Sequence, residues 1–184
     1  ASMKHVGVNV ASDPLFTVSY IGVNGGLVLV AADDPGLYSS QNEQDSRFYA
    51  DFAMIPCFEP TNQQEAYEMV FDAFELSEKM HLPVMMRMVT RLAHSRAAIT
   101  PFAENKWICQ NDLSKGDRSQ WMLLPALARK NYEKMIEKQK DLIDYSEKTK
   151  WNSLAINPRR DDLAIVTSGL GHNYYLENLN DYTD

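Results

Sequence analysis

Leu27-Val28-Leu29-Val30-Ala31-Ala32 is an unbroken apolar run that stops at Asp33-Asp34-Pro35-Gly36. A strand with one wet face alternates apolar and polar residues. A run without alternation suits a parallel strand covered on both faces, and parallel strands need crossover connections, usually helical. The tetrapeptide after it is a turn signal. The chain around this run is therefore expected to alternate strand and helix.

The flanking segments support that. Asp13-Pro14 reads as N-cap and first-turn proline of a helix from Leu15 to Val23, ended by Asn24-Gly25-Gly26. Before it, Lys4 to Val10 carries Gly7 and Asn9 and reads as a loop. After the polar stretch Leu37 to Asp45, a helix is expected from Asn42 or Asp45 to Phe52, then a strand from Ile55 to Glu59. Thr61 or Asn62 caps the next helix, with Glu65 placed for a capping box. Its apolar positions Ala66, Met69, Val70, Ala73, Phe74 and Leu76 keep a 3.6-residue period. The helix closes at Leu82-Pro83, and Val84 to Val89 is the next strand; Phe71, Phe74, Met85, Met86 and Met88 read as core.

The fold class that follows is α/β, a parallel sheet flanked by helices with right-handed crossovers. Ligands of such sheets collect at the carboxyl ends of the strands. The loops there are Asp33 to Gln41 and Thr90 to Ser95.

Beyond them, Ile99 to Gly116 reads as irregular and Met122 to Lys148 as one long helix with an apolar stripe of Met135, Leu142, Ile143 and Tyr145. Trp151 to Arg160 reads as a linker. Leu163 to Thr167 is expected to be a strand, Ser168 to Gly171 its turn, and His172 to Leu179 a helix. The divisions expected are 1–100, a partial α/β domain; 101–160, a connecting segment; and 161–184, the start of a second α/β domain.

The chain has 184 residues, with Lys+Arg 18 against Asp+Glu 25 and a net charge of −7. That balance argues against a nucleic-acid partner, which selects a basic face. No apolar stretch reaches the roughly 20 residues of a membrane span, and the start lacks a signal-peptide core. Cys57 and Cys109 are too few for an iron–sulfur cluster or a Cys-x-x-Cys zinc site, and read as reduced thiols of a cytoplasmic protein.

Two stretches are less generic. Met3-Lys4-His5-Val6-Gly7-Val8-Asn9-Val10-Ala11-Ser12-Asp13-Pro14-Leu15 is one, and Ala32-Asp33-Asp34-Pro35-Gly36 running on into Ser39-Ser40-Gln41-Asn42-Glu43-Gln44-Asp45-Ser46-Arg47 is the other. Both resemble the thiamine-diphosphate-dependent 2-oxoacid:ferredoxin oxidoreductases, specifically the alpha subunits of the indolepyruvate:ferredoxin type. Pro83 to Arg91, His94-Ser95 and Val166-Thr167-Ser168-Gly169 are further echoes.

The resemblance implies oxidative decarboxylation of an aryl pyruvate. Thiamine diphosphate with Mg2+ and [4Fe-4S] clusters are the cofactors, coenzyme A the acyl acceptor, ferredoxin the electron acceptor and a beta subunit the partner. The first domain would be part of the pyrimidine-binding domain. In that family a glutamate upstream of Lys-His-Val-Gly activates the aminopyrimidine, and a Gly-Asp-Gly type motif holds the diphosphate. Neither occurs here, nor do the cluster cysteines. The chain is thus expected to be an internal piece of a longer subunit. Alone it should be inactive, hold no bound cofactor and self-associate.

The same resemblance points to His5, Gly7, Asn9, Ser39 and Ser40 as cofactor contacts. For His5 and Asn9 the plain alternative is a surface histidine and a turn. Gln41, Asn42, Gln44 and Asp45 supply directed hydrogen bonds for a 2-oxoacid, or simply cap a helix. Arg91 and His94 are candidates for the substrate carboxylate, or for a structural ion pair. Arg87 lies inside its strand and reads as structural. Two other classes stay open: a non-catalytic α/β binding module, and a different thiamine diphosphate enzyme such as a decarboxylase or synthase.

Overall fold

Residues 1–102, 118–156 and 162–179 are described by a computed structural model. The apolar run becomes β2 (Val28–Asp33), an interior strand. It pairs in parallel with β4 (Val84–Val89) from Val28↔Val84 to Asp33↔Val89. On its other side it pairs with β1 (Ser2–Lys4), while the short β3 (Cys57–Phe58) lies outside β4. The sheet is parallel throughout, in the order β1-β2-β4-β3.

Side chains alternate across it, so each interior strand serves two cores. Val28, Val84 and Met86 face α4 (Gln63–Met80), where Met69, Ala73, Leu76 and Met80 close on them. Leu29, Ala31 and Met85 face the other way. There they meet Val8 of α1 (His5–Val10), Leu15 of α2 (Ser12–Ile21) and Ala50 of α3 (Arg47–Phe52). Coverage on both faces is what the unalternating run demanded.

Asn62 is the N-cap of α4, and Glu65 reaches back one residue beyond it, to Thr61. Asn62 Oδ1 accepts from Glu65 N at 2.9 Å, and Glu65 Oε2 accepts from Thr61 N at 2.8 Å. His81 ends the helix in the left-handed region.

Several expectations change. Lys4 to Val10 is not a loop: β1 ends at Lys4 and α1 starts at His5. Gly7 permits this, since a Cβ there would lie 2.9 Å from Met3 Cβ. Helix α2 stops at Ile21, because Gly22 turns left-handed at φ 76°, ahead of Asn24-Gly25-Gly26. The long helix α6 (Pro125–Lys148) follows α5 (Thr90–Ala93) and a 3-10 turn at Arg118–Trp121. Its Met135 is buried, and Leu142 and Tyr145 join the α4 core. Ile143, expected in that stripe, is 64% exposed.

Leu163 to Thr167 forms no strand; no described strand lies beside it, and Val166 is 95% exposed. Helix α7 (Gly171–Glu177) follows. Its segment docks on the sheet's carboxyl edge: Asn173 Nδ2 donates to Thr61 O at 2.8 Å, and Gly169 sits against Glu59. The expectations for residues 103–117 and 157–161, Cys109 among them, lie outside the described residues. No described helix is long and apolar enough to cross a membrane.

Candidate active site

Asp33 and Asp34 end β2 in different networks. Asp33 is buried. Its Oδ1 accepts from Ser46 Oγ at 2.5 Å, and its Oδ2 accepts from Ser46 N at 2.9 Å and Arg87 Nε at 2.6 Å. Arg87 is one turn of pleat away on β4, in register with Ala31. Its Nη1 donates to Glu59 Oε1 at 3.1 Å, and its Nε lies 3.5 Å from Asp45 Oδ1. Arg47 in turn holds Asp45, with Nε 2.9 Å from both carboxylate oxygens, and lies 3.5 Å from Glu59. The Arg47 hydrogen bond holds the Asp45 carboxyl below its ordinary range. The ends of β2, β3 and β4 are thus tied by three carboxylates and two guanidiniums. Arg87 ties the two central strands from inside β4 and also lines the cleft described below.

Asp34 organises the loop that follows. Thr90 Oγ1 donates to its Oδ1 at 2.7 Å and Ser39 N to its Oδ2 at 2.8 Å. These two donors, Thr90 foremost, push its pKa down to about 2. The Ser40 side chain on the same loop lowers it further. Gly36 and Leu37 take left-handed conformations (φ 83° and 60°), so the chain reverses tightly over Asp34.

The same loop is tied to α1. His5 is wholly buried, which overturns the surface reading, and its Nε2–H donates to Asn42 O at 3.1 Å. Asn9 Nδ2 donates to Gln44 Oε1, and Gln44 Nε2 to Asn42 Oδ1, both at 3.1 Å. His5, Asn9, Asn42 and Gln44 are therefore brought together, on a helix and a facing loop. Gly7 faces Met3 instead. Ser39 and Gln41 are exposed.

Three buried polar atoms at this edge have no partner among the described residues: His5 Nδ1, Ser40 Oγ and Glu59 Oε2. Native interiors leave few such atoms without a ligand or water. The same edge of the sheet opens into a cleft of about 400 Å³, lined among others by Tyr38, Asp45, Arg87, Thr90, Arg91 and Tyr174; His5, Ser40 and Glu59 are not among its described lining residues. The Arg91 guanidinium carbon lies 5.4 Å from the centre of the Tyr174 ring, a cation–π contact. Gln44 and Arg47 line the cleft, but His94 does not: it ends α5 and is exposed. Glu59, Tyr38 and Tyr174 were not singled out from sequence. Glu59 ends a strand and could have been; Tyr174 carries no local signal.

The comparisons with known proteins follow this edge. A family model, pyruvate flavodoxin/ferredoxin oxidoreductase, thiamine-diphosphate-binding, matches residues 28–150. The chain belongs to that oxidoreductase family. It is similar to proteins named indolepyruvate oxidoreductase subunit IorA. That of Methanothermobacter marburgensis is 40% identical over 177 residues, 96% of this chain and 28% of the relative. That of Archaeoglobus fulgidus is 41% identical over 190 residues, 98% of this chain and 29% of the relative. That of Pyrococcus abyssi is 40% identical over 182 residues, 97% of this chain and 28% of the relative. The chain thus spans under a third of the length of these relatives. No solved structure matches it.

The stretch matched to the oxidoreductase family takes in β2, β3 and β4 and the whole Asp33–Arg87 network. His5 Nε2 is committed to Asn42 O, so Nδ1, without a partner among the described residues, is the ring atom left to meet a polar group such as that of the thiamine ring. Metal ions fit less well, since no group of three or more His, Cys, Asp or Glu among the described residues could hold one.

Proposed function

We propose that this chain is part of an enzyme that oxidatively decarboxylates indolepyruvate or a related aryl pyruvate. In the overall change the bond to the carboxylate carbon breaks and carbon dioxide leaves. The acyl carbon forms a thioester with coenzyme A, and an electron pair and a proton are released, the electrons to ferredoxin. Thiamine diphosphate, when bound, would supply nucleophilic-carbon and electron-sink chemistry at the 2-oxo carbon.

The chain's own residues bind and orient. His5 Nδ1 and Ser40 Oγ take the polar ring of the cofactor, with Asn9 and Gln44 holding α1 against the loop. Gly7 lets α1 sit close to Met3. Arg91 pairs with the substrate carboxylate, and Tyr38 and Tyr174 flank the aryl group. Asn42 and Asp45 fix the loop and Arg47; Ser39 and Gln41 stand at its rim. Mg2+, the diphosphate motif and the clusters come from other segments of the full enzyme. Residues 1–100 form most of a pyrimidine-binding domain, 101–160 connect, and 161–184 start the next. The exposed Val10, Phe48 and Phe52 on α1 and α3 support association with a partner subunit. A cytoplasmic setting is in keeping with Cys57, which forms no disulfide among the described residues.

One observation carries this reading: the buried, unpartnered His5 Nδ1 and Ser40 Oγ at the strand ends. The test is His5→Ala and Ser40→Ala in the full subunit with its partner. Both should weaken thiamine diphosphate binding and slow indolepyruvate-dependent ferredoxin reduction. Unchanged cofactor affinity and unchanged rate in both variants would refute it.

A further inference from the structure

The opposite edge of the sheet carries a second cavity, which the proposed reaction does not use. It has a volume of about 320 Å³ and lies before the starts of β2 and β4, between the α2 C-terminus, His81 and α6. Lys130, Lys134 and Lys138 all line it. Spaced four residues apart, they share one face of α6. Among the described residues, no Asp or Glu lines it. Among the described residues, no ion pair engages any of the three lysines. In a chain of net charge −7 this is a local reversal of sign.

The lysine face is held in place. Tyr132 stacks on Tyr20 of α2 at 5.6 Å, Met135 is buried, and Gln139 Nε2 donates to Met54 O at 2.9 Å. The donors are not all satisfied. Asn131 Nδ2 is buried in the same cavity and has no partner among the described residues. Gln120 and His81 are engaged with backbone carbonyls, Gln120 Nε2 with Ile21 O at 2.7 Å and His81 Nδ1 with Val23 O at 3.0 Å. Lys138 Nζ reaches His81 O only at 3.5 Å.

We infer that this cavity is an anion site for a diphosphate-type group, bound by Lys130, Lys134 and Lys138 with Asn131 Nδ2 as neutral donor. Clustered lysines suit a multiply charged phosphate, to which each contributes a point charge and rotatable donors. Burial and the neighbouring Lys134 charge also pull the Lys138 pKa down, a tension that a bound anion relieves.

Inorganic pyrophosphate and ADP, titrated calorimetrically into the full chain at low salt, are the probes. Saturable binding of both with similar affinity supports a site that reads the diphosphate alone. ADP binding tighter than pyrophosphate supports one that also seats the nucleoside. The Lys134→Gln/Lys138→Gln double variant should bind at least about tenfold more weakly, the scale of lost hydrogen bonds to charged groups. Lys148→Gln, whose lysine pairs with Asp144 outside the cavity, should bind normally. In the unmutated chain, pyrophosphate should shield Lys130, Lys134 and Lys138, but not Lys148, from acylation read by mass spectrometry. No saturable binding of either probe, an unaffected double variant, or shielding without preference for the three lysines would overturn the inference.

Discussion

Arg87 Nε stands 2.6 Å from Asp33 Oδ2, across the two central strands of the sheet at the edge where the cleft opens. Asp33 is buried and the Arg87 side chain is only 11% exposed. Removing the guanidinium leaves a buried carboxylate with only Ser46 as partner. Arg87→Ala should therefore destabilise the chain by about 3 kcal/mol, the cost of breaking a buried pair from one side. Urea unfolding measures this. A loss below about 1 kcal/mol, as for an exposed pair, would show that the pair is solvated.

Asp34 gives the acid limb of stability. Its pKa falls from 3.8 to about 2 on folding, with Thr90 the main cause. A carboxyl depressed in this way stabilises the fold fully above its unfolded value. The contribution is lost as pH falls through the folded one. Acid unfolding followed by circular dichroism should thus steepen between about pH 4 and pH 2, and Asp34→Asn should flatten that portion. Thr90→Val should move the Asp34 titration upward by carboxyl NMR.

Gly22 cannot be replaced cheaply. At φ 76° a side chain is strained, and its Cβ would lie 2.9 Å from His81 O. Gly22→Ala should cost about 1–3 kcal/mol, readable as a lower thermal midpoint. An unchanged midpoint would mean the α2 terminus relaxes freely.

Asn62→Ala removes the acceptor for Glu65 N at the start of α4. A loss of about 1 kcal/mol is expected in denaturant unfolding. Asn62→Asp should retain most of the stability.

Arg91 is exposed, so replacing it should leave folding intact. In the full enzyme Arg91→Leu should raise KM for the aryl pyruvate about 10- to 100-fold, with a smaller change in kcat, as expected for a lost charged hydrogen bond. A normal KM would remove Arg91 from the substrate site.

Local signals carried much of this architecture. The unalternating run predicts β2, the Asn62–Glu65 spacing predicts a capped α4, and a strand-end rule locates the cleft. Non-local pairing explains what was missed. Ser2–Lys4 becomes a strand only because Val30–Ala32 offers an edge, and that start places His5 in a buried helix rather than a loop. Leu163 to Thr167 has the composition of a strand, yet no described strand lies beside it. Tyr174 meets Arg91 only because Gly169 and Asn173 dock the late segment on the sheet edge. His5 and Ser40 were visible as candidates through resemblance; their unpartnered atoms needed coordinates.

The strand order has a consequence for how the chain is born. Among the described strands, β3 pairs with β4 alone, and β4 follows the other three in the sequence. A nascent chain therefore emerges from the ribosome with β2 half paired and β3 without any neighbour. Both wait for Val84–Val89 to wedge between them. Arg87 arrives with that wedge, so Asp33 lacks its guanidinium partner until then, while Asp45 and Glu59 have only Arg47. The Asp33–Arg87 link therefore cannot form before β4; it arrives with the strand that joins β2 to β3.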